Sequence, residues 1–259
     1  MAMAPIITLT TDLGLTDAYV AEMKGVILSI NPEAKLVDIC HTIKPQSIIQ
    51  AAFVLSRAYP FFPQGTVHVV VVDPGVGTER RAIILRARSA SFVAPDNGVL
   101  SYVVGQSSAW EAVAITRPQL WRSTVSPTFH GRDIFAPVAA WLSLGLPLTD
   151  FGEVITSVTT LPLPQPHQAA DGSIIGYVIH IDSFGNLITN INSDGLPKGK
   201  RALTIKVGGQ LIPGLSRTYA EGEGLLALIG SDGYLEIAVK DGNASAVLSA
   251  KVGDEVRIK

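Results

Sequence analysis

Asp73 ends a run of four valines and opens the loop DPGVGTERR, in which Arg80 and Arg81 follow within eight residues. The plain reading of such a loop is a turn closed by a structural salt bridge. Three further polar stretches, at residues 12–17, 96–98 and 129–133, argue for more. His130 lies beside Gly131 and Arg132 in FHGRD, and a carboxylate held by a histidine and an arginine can position and polarise a water molecule. Asp12 sits in the first strand-to-helix loop, where a carboxylate either caps the helix or is placed to accept hydrogen bonds from a pair of ribose hydroxyls. Asp17 reads as a helix cap. No G-x-G-x-x-G or G-x-x-x-x-G-K-S/T loop occurs, which argues against a conventional dinucleotide or P-loop phosphate site. Further on, HIDSFGNLITNI carries Asp182, Phe184, Gly185 and Asn186. An aromatic face beside an amide suits stacking on a flat heterocycle and recognition of its edge, and the alternative is a β-bulge or hairpin with an incidental Phe. The run IGSDGYLEIA, residues 229–238, reads as a tight turn between strands.

The elements that must position these residues follow from periodicity. A strand over 6–10 leads through the Asp12 loop into a helix over 18–30, where Val20, Met23, Ile27 and Ile30 recur at three and four and Asp17 is placed to cap the start. A strand over 36–40, a helix over 47–59 and a strand over 67–72 complete a strand-helix-strand-helix-strand opening, the pattern of parallel α/β units. The valines before Asp73 show no polar alternation, which suits a strand covered on both faces. A strand pair over 82–86 and 91–94 ends in PDNG, and helical spacing over 132–144 contains Pro137, which predicts a late start or a kink. Three prolines between residues 157 and 170 predict a linker. Beyond it, short β-rich runs at 174–181, 203–207, 225–229, 234–239 and 255–259 alternate with Gly and Asp turns, with no convincing helix. The expected architecture is an α/β domain with a mostly parallel central sheet over 1–160, a linker over 161–171 and a smaller all-β, barrel-like domain over 172–259.

Composition bounds the partners. Of the 259 residues 47% are hydrophobic and only 16% charged, with a formal net charge of −2. Without runs of Lys or Arg there is no electrostatic footprint for nucleic acid or an acidic membrane surface, so a small-molecule partner is expected, and a surface sparse in charge suggests oligomer contacts. Cys40 is the only cysteine, which excludes an intrachain disulfide and a cysteine-rich metal site; His41, His68, His167 and His180 lack clustered ligand spacing. The start has neither a basic region nor a long apolar core, and no stretch approaches the roughly 18 to 20 apolar residues of a membrane span, so a cytoplasmic location is expected.

Taken in order, TTDLGLTDAYVAEMKG, VVDPGVGTERR, APDNG, FHGRD, IDSFGN and GSDGYLEIA resemble the S-adenosyl-L-methionine hydroxide adenosyltransferases, the adenosine-forming S-adenosylmethionine (SAM) hydrolases related to the fluorinase and chlorinase. The resemblance runs nearly end to end. It implies a homotrimer with sites between neighbouring subunits, no metal and no cofactor, and attack of water or hydroxide on the 5′-carbon of SAM to release adenosine and L-methionine. It maps a catalytic triad onto Asp73, Arg80 and His130. Asp12 matches a ribose-binding acid, Asp17 and Ser231 contacts at the methionine end, and Asp182 an acid near the methionine ammonium. Phe184, Asn186 and Tyr219 match the adenine site, and Asn97 and Phe129 are assigned to substrate as well. Asp73 replaces a tyrosine of the halogenases and Gly131 their halide-binding serine, and a carboxylate is a poor neighbour for a bound anion. The loop that halogenases insert before A-P-x-N-G is missing. Asp232 stands where halogenases place an arginine toward the methionine carboxylate. A SAM-dependent halogenase and a non-catalytic SAM- or adenosine-binding protein are the alternatives.

Overall fold

The computed structural model describes residues 4–88, 90–197 and 203–259. The chain divides into two compact units, Met1–Leu161 and Pro162–Lys259.

In the first unit, β1 (Ile6–Thr11) is followed by α1 (Tyr19–Ile30), β2 (Lys35–Cys40), α2 (Ile48–Ala58) and β3 (Val67–Val71). Then come β4 (Ala82–Ala87), β5 (Ala90–Pro95), α3 (Ser101–Gly105), β6 (Trp110–Ile115), α4 (Ala136–Ser143) and β7 (Gly152–Ile155). Among the described residues the strands form one sheet in the order β2-β1-β3-β5-β4-β6-β7. The pairings β1–β2, β1–β3 and β3–β5 are parallel, whereas β4–β5, β4–β6 and β6–β7 are antiparallel. The sheet is therefore mixed, not mostly parallel. For β4 and β5 the short connection is the reason: two residues of chain can join only antiparallel neighbours, whereas a parallel neighbour needs a long crossover.

The valines before Asp73 do lie between two apolar layers. Val69 and Val71 join the core containing Met23 and Ile27 of α1 and Val138 and Ala139 of α4, while Val70 and Val72 join that containing Ala51 and Leu55 of α2 and Val103 of α3. Each buried valine contributes about 1.5–3 kcal/mol by leaving water. α1 begins without the expected Asp17 cap: Ala18 occupies the N-cap and no side chain bonds there. The expected helix over 132–144 has two parts, a π-helical turn at Gly131–Phe135 and then α4. Pro137 has no N–H to offer the Asp133 carbonyl one turn earlier, and that carbonyl instead accepts from the Arg122 N–H at 3.0 Å.

The second unit contains β8 (His167–Gln168), β9 (Ile174–Ile181), β10 (Leu187–Asn192), β11 (Thr204–Val207), β12 (Gln210–Pro213), β13 (Leu225–Ile229), β14 (Tyr234–Val239), α5 (Ala244–Leu248) and β15 (Glu255–Ile258). The strand order is β12-β11-β15-β9-β10-β14-β13, with β8 beside β9, and the pairings are antiparallel. The first half of β9 pairs with β15 and its second half with β10, so the sheet curls around a core including Val178, Leu187, Ile205 and Ile237. Beyond the end of β12 the Ser216 N–H donates to Ala227 of β13 at 2.8 Å, nearly closing the barrel. α5, capped by Asn243 Oδ1 on the Ala246 N–H, was not foreseen; five residues are too few to show a helical period. Within the irregular run after β7, Leu161 donates its N–H to Ser101, and His167–Gln168 pair with β9.

Candidate active site

The loop after β3 is built by backbone constraints before any side chain reacts. Asn97 Nδ2 donates to the Val72 carbonyl at 2.9 Å and its Oδ1 accepts the Val99 N–H at 3.2 Å, fixing the end of the strand. The Val76 N–H returns to the Asp73 carbonyl at 3.2 Å. Gly77 has φ +77°, and a Cβ there would lie 2.4 Å from the Pro127 carbonyl oxygen, so the two loops meet backbone to backbone.

That path brings Arg80 onto Asp73. Arg80 Nε donates to Oδ1 and Oδ2 at 2.9 and 3.0 Å, and Nη2 donates to Oδ2. The same Nη2 lies 2.8 Å from His130 Nδ1. The Asp73 side chain is 5% and that of Arg80 11% exposed. A guanidinium only donates, so Nδ1 of His130 is an acceptor and the neutral ring carries its proton on Nε2. Burial first and the Arg80 charge second push the His130 pKa down, against the upward pull of Asp73 and Asp133.

His130 immediately precedes the π-helical turn, whose wider ring is closed by the Ala136 N–H on the Gly131 carbonyl. Behind it Asp133 is fully buried. Its oxygens accept from Arg122 at 3.1 Å, from Arg132 at 2.7 and 3.0 Å, and from the Ser126 N–H at 2.9 Å. Burial pushes its pKa up, but these bonds, that of Arg132 foremost, hold it below the usual carboxylate range. Arg132 continues to Glu22 of α1 at 2.7 Å and lies 5.1 Å over the Phe129 ring. Phe129 also meets Tyr19 edge to face at 5.2 Å.

A cleft of about 250 Å³ gathers Asp12, Gln46, Asp73, Thr128, Phe129 and His130. The Gln46 N–H donates to Asp12 Oδ2 at 2.7 Å from a backbone with φ +66°. Arg80 backs the cleft through its bonds. Asp17 is exposed and is not among the lining residues, nor is Asn97, whose amide is engaged by backbone on both sides.

In the second unit a larger cleft, about 880 Å³, is lined by Asp182, Phe184, Asn186, Tyr219, Lys240 and Asn243 among others. Its floor is the β9–β10 turn, as the hairpin reading of this stretch expects. Gly185, at φ +86°, lets the turn pass so close to Asn243 that a Cβ would fall 2.1 Å from that side chain's Cγ. Phe184 is 75% exposed, an open ring face. The Tyr219 hydroxyl donates to Glu236 Oε1 at 2.6 Å. Burial, ahead of the charges of Asp182 and Asp232, raises the Glu236 pKa against the lowering effect of the Tyr219 bond; burial and then Glu236 raise that of Tyr219. Ser231 is exposed on the β13–β14 turn and is not among the lining residues, and Asp232 Oδ1 accepts the Tyr234 N–H at 3.2 Å. Sequence reasoning missed Gln46, Asp133 and Glu236. Only Asp133 left a signal, an acid at the head of a helix that also carries the candidate histidine.

A neutral imidazole, a carboxylate and a guanidinium joined by hydrogen bonds at an open cleft define a centre suited to holding a small polar nucleophile. The chain belongs to the SAM hydroxide adenosyltransferase family: residues 7–152 match the family's N-terminal domain and residues 176–257 its C-terminal domain. It is 38% identical to an (R)-S-adenosyl-L-methionine hydrolase of Salinispora arenicola across 100% of this chain and 99% of that one. It is 32% identical to a fluorinase of Nocardia brasiliensis across 98% and 97%. A crystal structure of a conserved protein from Thermotoga maritima superposes with a TM-score of 0.91 at 41% identity, covering 97% of this chain and 99% of that one.

Proposed function

We propose that this enzyme hydrolyses (R)-S-adenosyl-L-methionine to adenosine and L-methionine. The L prefix fixes the methionine carbon and the adenosyl group fixes the ribose, so the R label refers to the sulfonium. Water or hydroxide attacks the 5′-carbon; a C–O bond forms, the C–S bond breaks, and its electron pair stays on sulfur as the thioether of methionine. One proton of the water is released. Sulfonium is already an activated leaving group, so the reaction calls for neither a metal nor a cofactor. What it needs is an oxygen nucleophile held in line and shielded from bulk solvent.

The observation that carries this reading is the shared bond of Arg80 to Asp73 and His130. With Nδ1 engaged, His130 offers a donor at Nε2 and orients the water without removing its proton. Asp73 is left to accept from the water and take that proton, and Arg80 supports its charge. Losing one such positioning bond costs about 10- to 10³-fold in rate. Asp12 is assigned to the ribose hydroxyls and Phe129 to the same cleft. Phe184, Asn186 and Tyr219 are assigned to adenine, and Asp17 and Ser231 to the methionine end. Asn97 acts through the end of β3. We extend the reading to a cytoplasmic homotrimer, with an N-terminal catalytic domain over 1–160, a linker over 161–171 and a substrate-binding barrel over 172–259.

The fluorinase relative keeps halogenation as a second reading. Against it, a Cβ at Gly131 would meet Phe129, Met23 and Val71 at 3.1–3.3 Å, leaving little room for a halide-binding side chain. The test is to incubate the purified protein with each sulfonium epimer of SAM in ¹⁸O-water, with chloride and fluoride in parallel and Asp73→Ala as control. Adenosine labelled at the 5′-oxygen, formed from the R epimer by the wild type, supports the proposal. A 5′-halogenated nucleoside supports halogenation, and binding without product supports a binding protein. Light scattering in the same buffer reports whether the mass is that of a trimer.

A further inference from the structure

The turn between β9 and β10 is built on Asp182. Its Oδ1 accepts the N–H groups of Phe184 and Asn186, each at 2.9 Å, and its Oδ2 accepts from Asn186 Nδ2 at 3.0 Å. A carboxylate has no proton to give, so Asn186 must turn its NH₂ toward Asp182 and keep its carbonyl oxygen away. Asn186 is 7% exposed and lines the larger cleft with Phe184 and Tyr219. What its amide retains for a ligand is one acceptor, Oδ1, and one remaining N–H.

We propose that Asp182 is a positioning residue that sets base specificity: by fixing the Asn186 amide it makes the cleft select a 6-aminopurine over a 6-oxopurine. The proposal rests on the assignment of this cleft to adenine. On adenine an exocyclic N–H donor stands beside a ring-nitrogen acceptor, complementary to the acceptor and donor of the fixed amide. In hypoxanthine position 6 is an acceptor and N1 carries hydrogen, so that edge is reversed. Asn186 could match it only by flipping, which would break its bond to Asp182 and set carbonyl oxygen against carboxylate oxygen. This role differs from the contact with the methionine ammonium that the family resemblance implies for the same residue.

The test compares wild type with Asp182→Asn on SAM and on its analogue carrying hypoxanthine in place of adenine. The substitution keeps an oxygen for the two turn N–H groups but puts an NH₂ where Oδ2 was, drawing the Asn186 carbonyl toward it. Wild type is expected to prefer the amino substrate by about 10- to 100-fold in kcat/KM. The variant should lose most of that preference, through KM more than kcat. Equal losses on both substrates with the preference unchanged would overturn the proposal. Calorimetric titration with adenosine and inosine reads the same preference without turnover, so it stands apart from whether SAM is hydrolysed. Equal binding of the two nucleosides by wild type would also overturn it. Should Asp182→Asn not fold, Asp182→Ser, which keeps one acceptor and frees the Asn186 amide, is expected to bring the two nucleosides together in that titration. A preference retained in the serine variant would count against the proposal.

Discussion

One nitrogen of Arg80, Nη2, donates both to the Asp73 carboxylate and, across 2.8 Å, to Nδ1 of His130. A single planar cation therefore fixes the direction of the acid and the tautomer of the imidazole together. Replacing it by lysine keeps the charge but loses the fork. Arg80→Lys is expected to lower kcat by about 10²- to 10³-fold with little change in KM, measured by adenosine release under saturating SAM, while circular dichroism stays as in wild type.

The pH profile reads the state of His130. Its pKa lies below the usual 6.5, for burial first and Arg80 second, so the ring is neutral at pH 7 and gains a proton only in more acid solution. Protonation places an N–H on Nδ1, facing the Arg80 donor. The expected kcat/KM contribution is level from about pH 7 upward and falls on the acid side with an apparent pKa under 6.5. His130→Asn should be slow and lack that limb. A limb centred above 6.5 would contradict the neutral-ring assignment.

Asp133 touches no substrate atom in this scheme, yet it ties Arg122, Arg132 and the Ser126 N–H to the segment that carries Phe129 and His130. In Asp133→Asn an NH₂ group must face one of those donors. Stability should drop by roughly 1–3 kcal/mol in urea titration and kcat by about tenfold or more. Because the Asp133 charge raises the His130 pKa, its removal should also move the acid limb to lower pH. A purely structural loss would leave that limb in place.

His68, which lines neither cleft, should make stability depend on pH. It is stacked on Phe92, its Nδ1 is 2.8 Å from the Thr8 hydroxyl, and burial lowers its pKa to about 4. The unfolded chain, with a value near 6.5, binds the proton more readily between those limits, so stability is lost as pH falls from 6.5 toward 4. The loss from this residue is roughly 3 kcal/mol across the window. Denaturant midpoints at pH 7 and 4.5 should differ less in His68→Phe than in wild type.

Much of the first unit was legible because burial writes itself into composition. Val69 to Val72 announced a strand covered on both faces, and the acid that follows marked its carboxyl end. Strand direction in the β4–β6–β7 half was not legible, since hydrophobic period is the same for a parallel and an antiparallel neighbour. The site divides in the same way. Asp12, Asp73 and His130 stand at strand ends or helix starts, and their chemistry is visible in their types. The Gln46 contribution is a backbone N–H, which every residue except proline carries, so the residue type gives no signal. Glu236 sits in the alternation YLEIA like a solvent-facing residue, and only the position of Tyr219 reveals it as buried. Asp17 looked like a cap, but the helix starts two residues later and its N-cap is Ala18.

The contact between Gly77 and the Pro127 carbonyl links segments bearing Asp73 and His130, residues that lie far apart along the chain. Because the contact is made by main chain, it does not depend on which side chains flank it. Segment length is another matter. A single inserted or deleted residue between Asp73 and Gly77, or between Pro127 and His130, would slide one reactive group past the other, so these stretches tolerate changes of letter far better than changes of count.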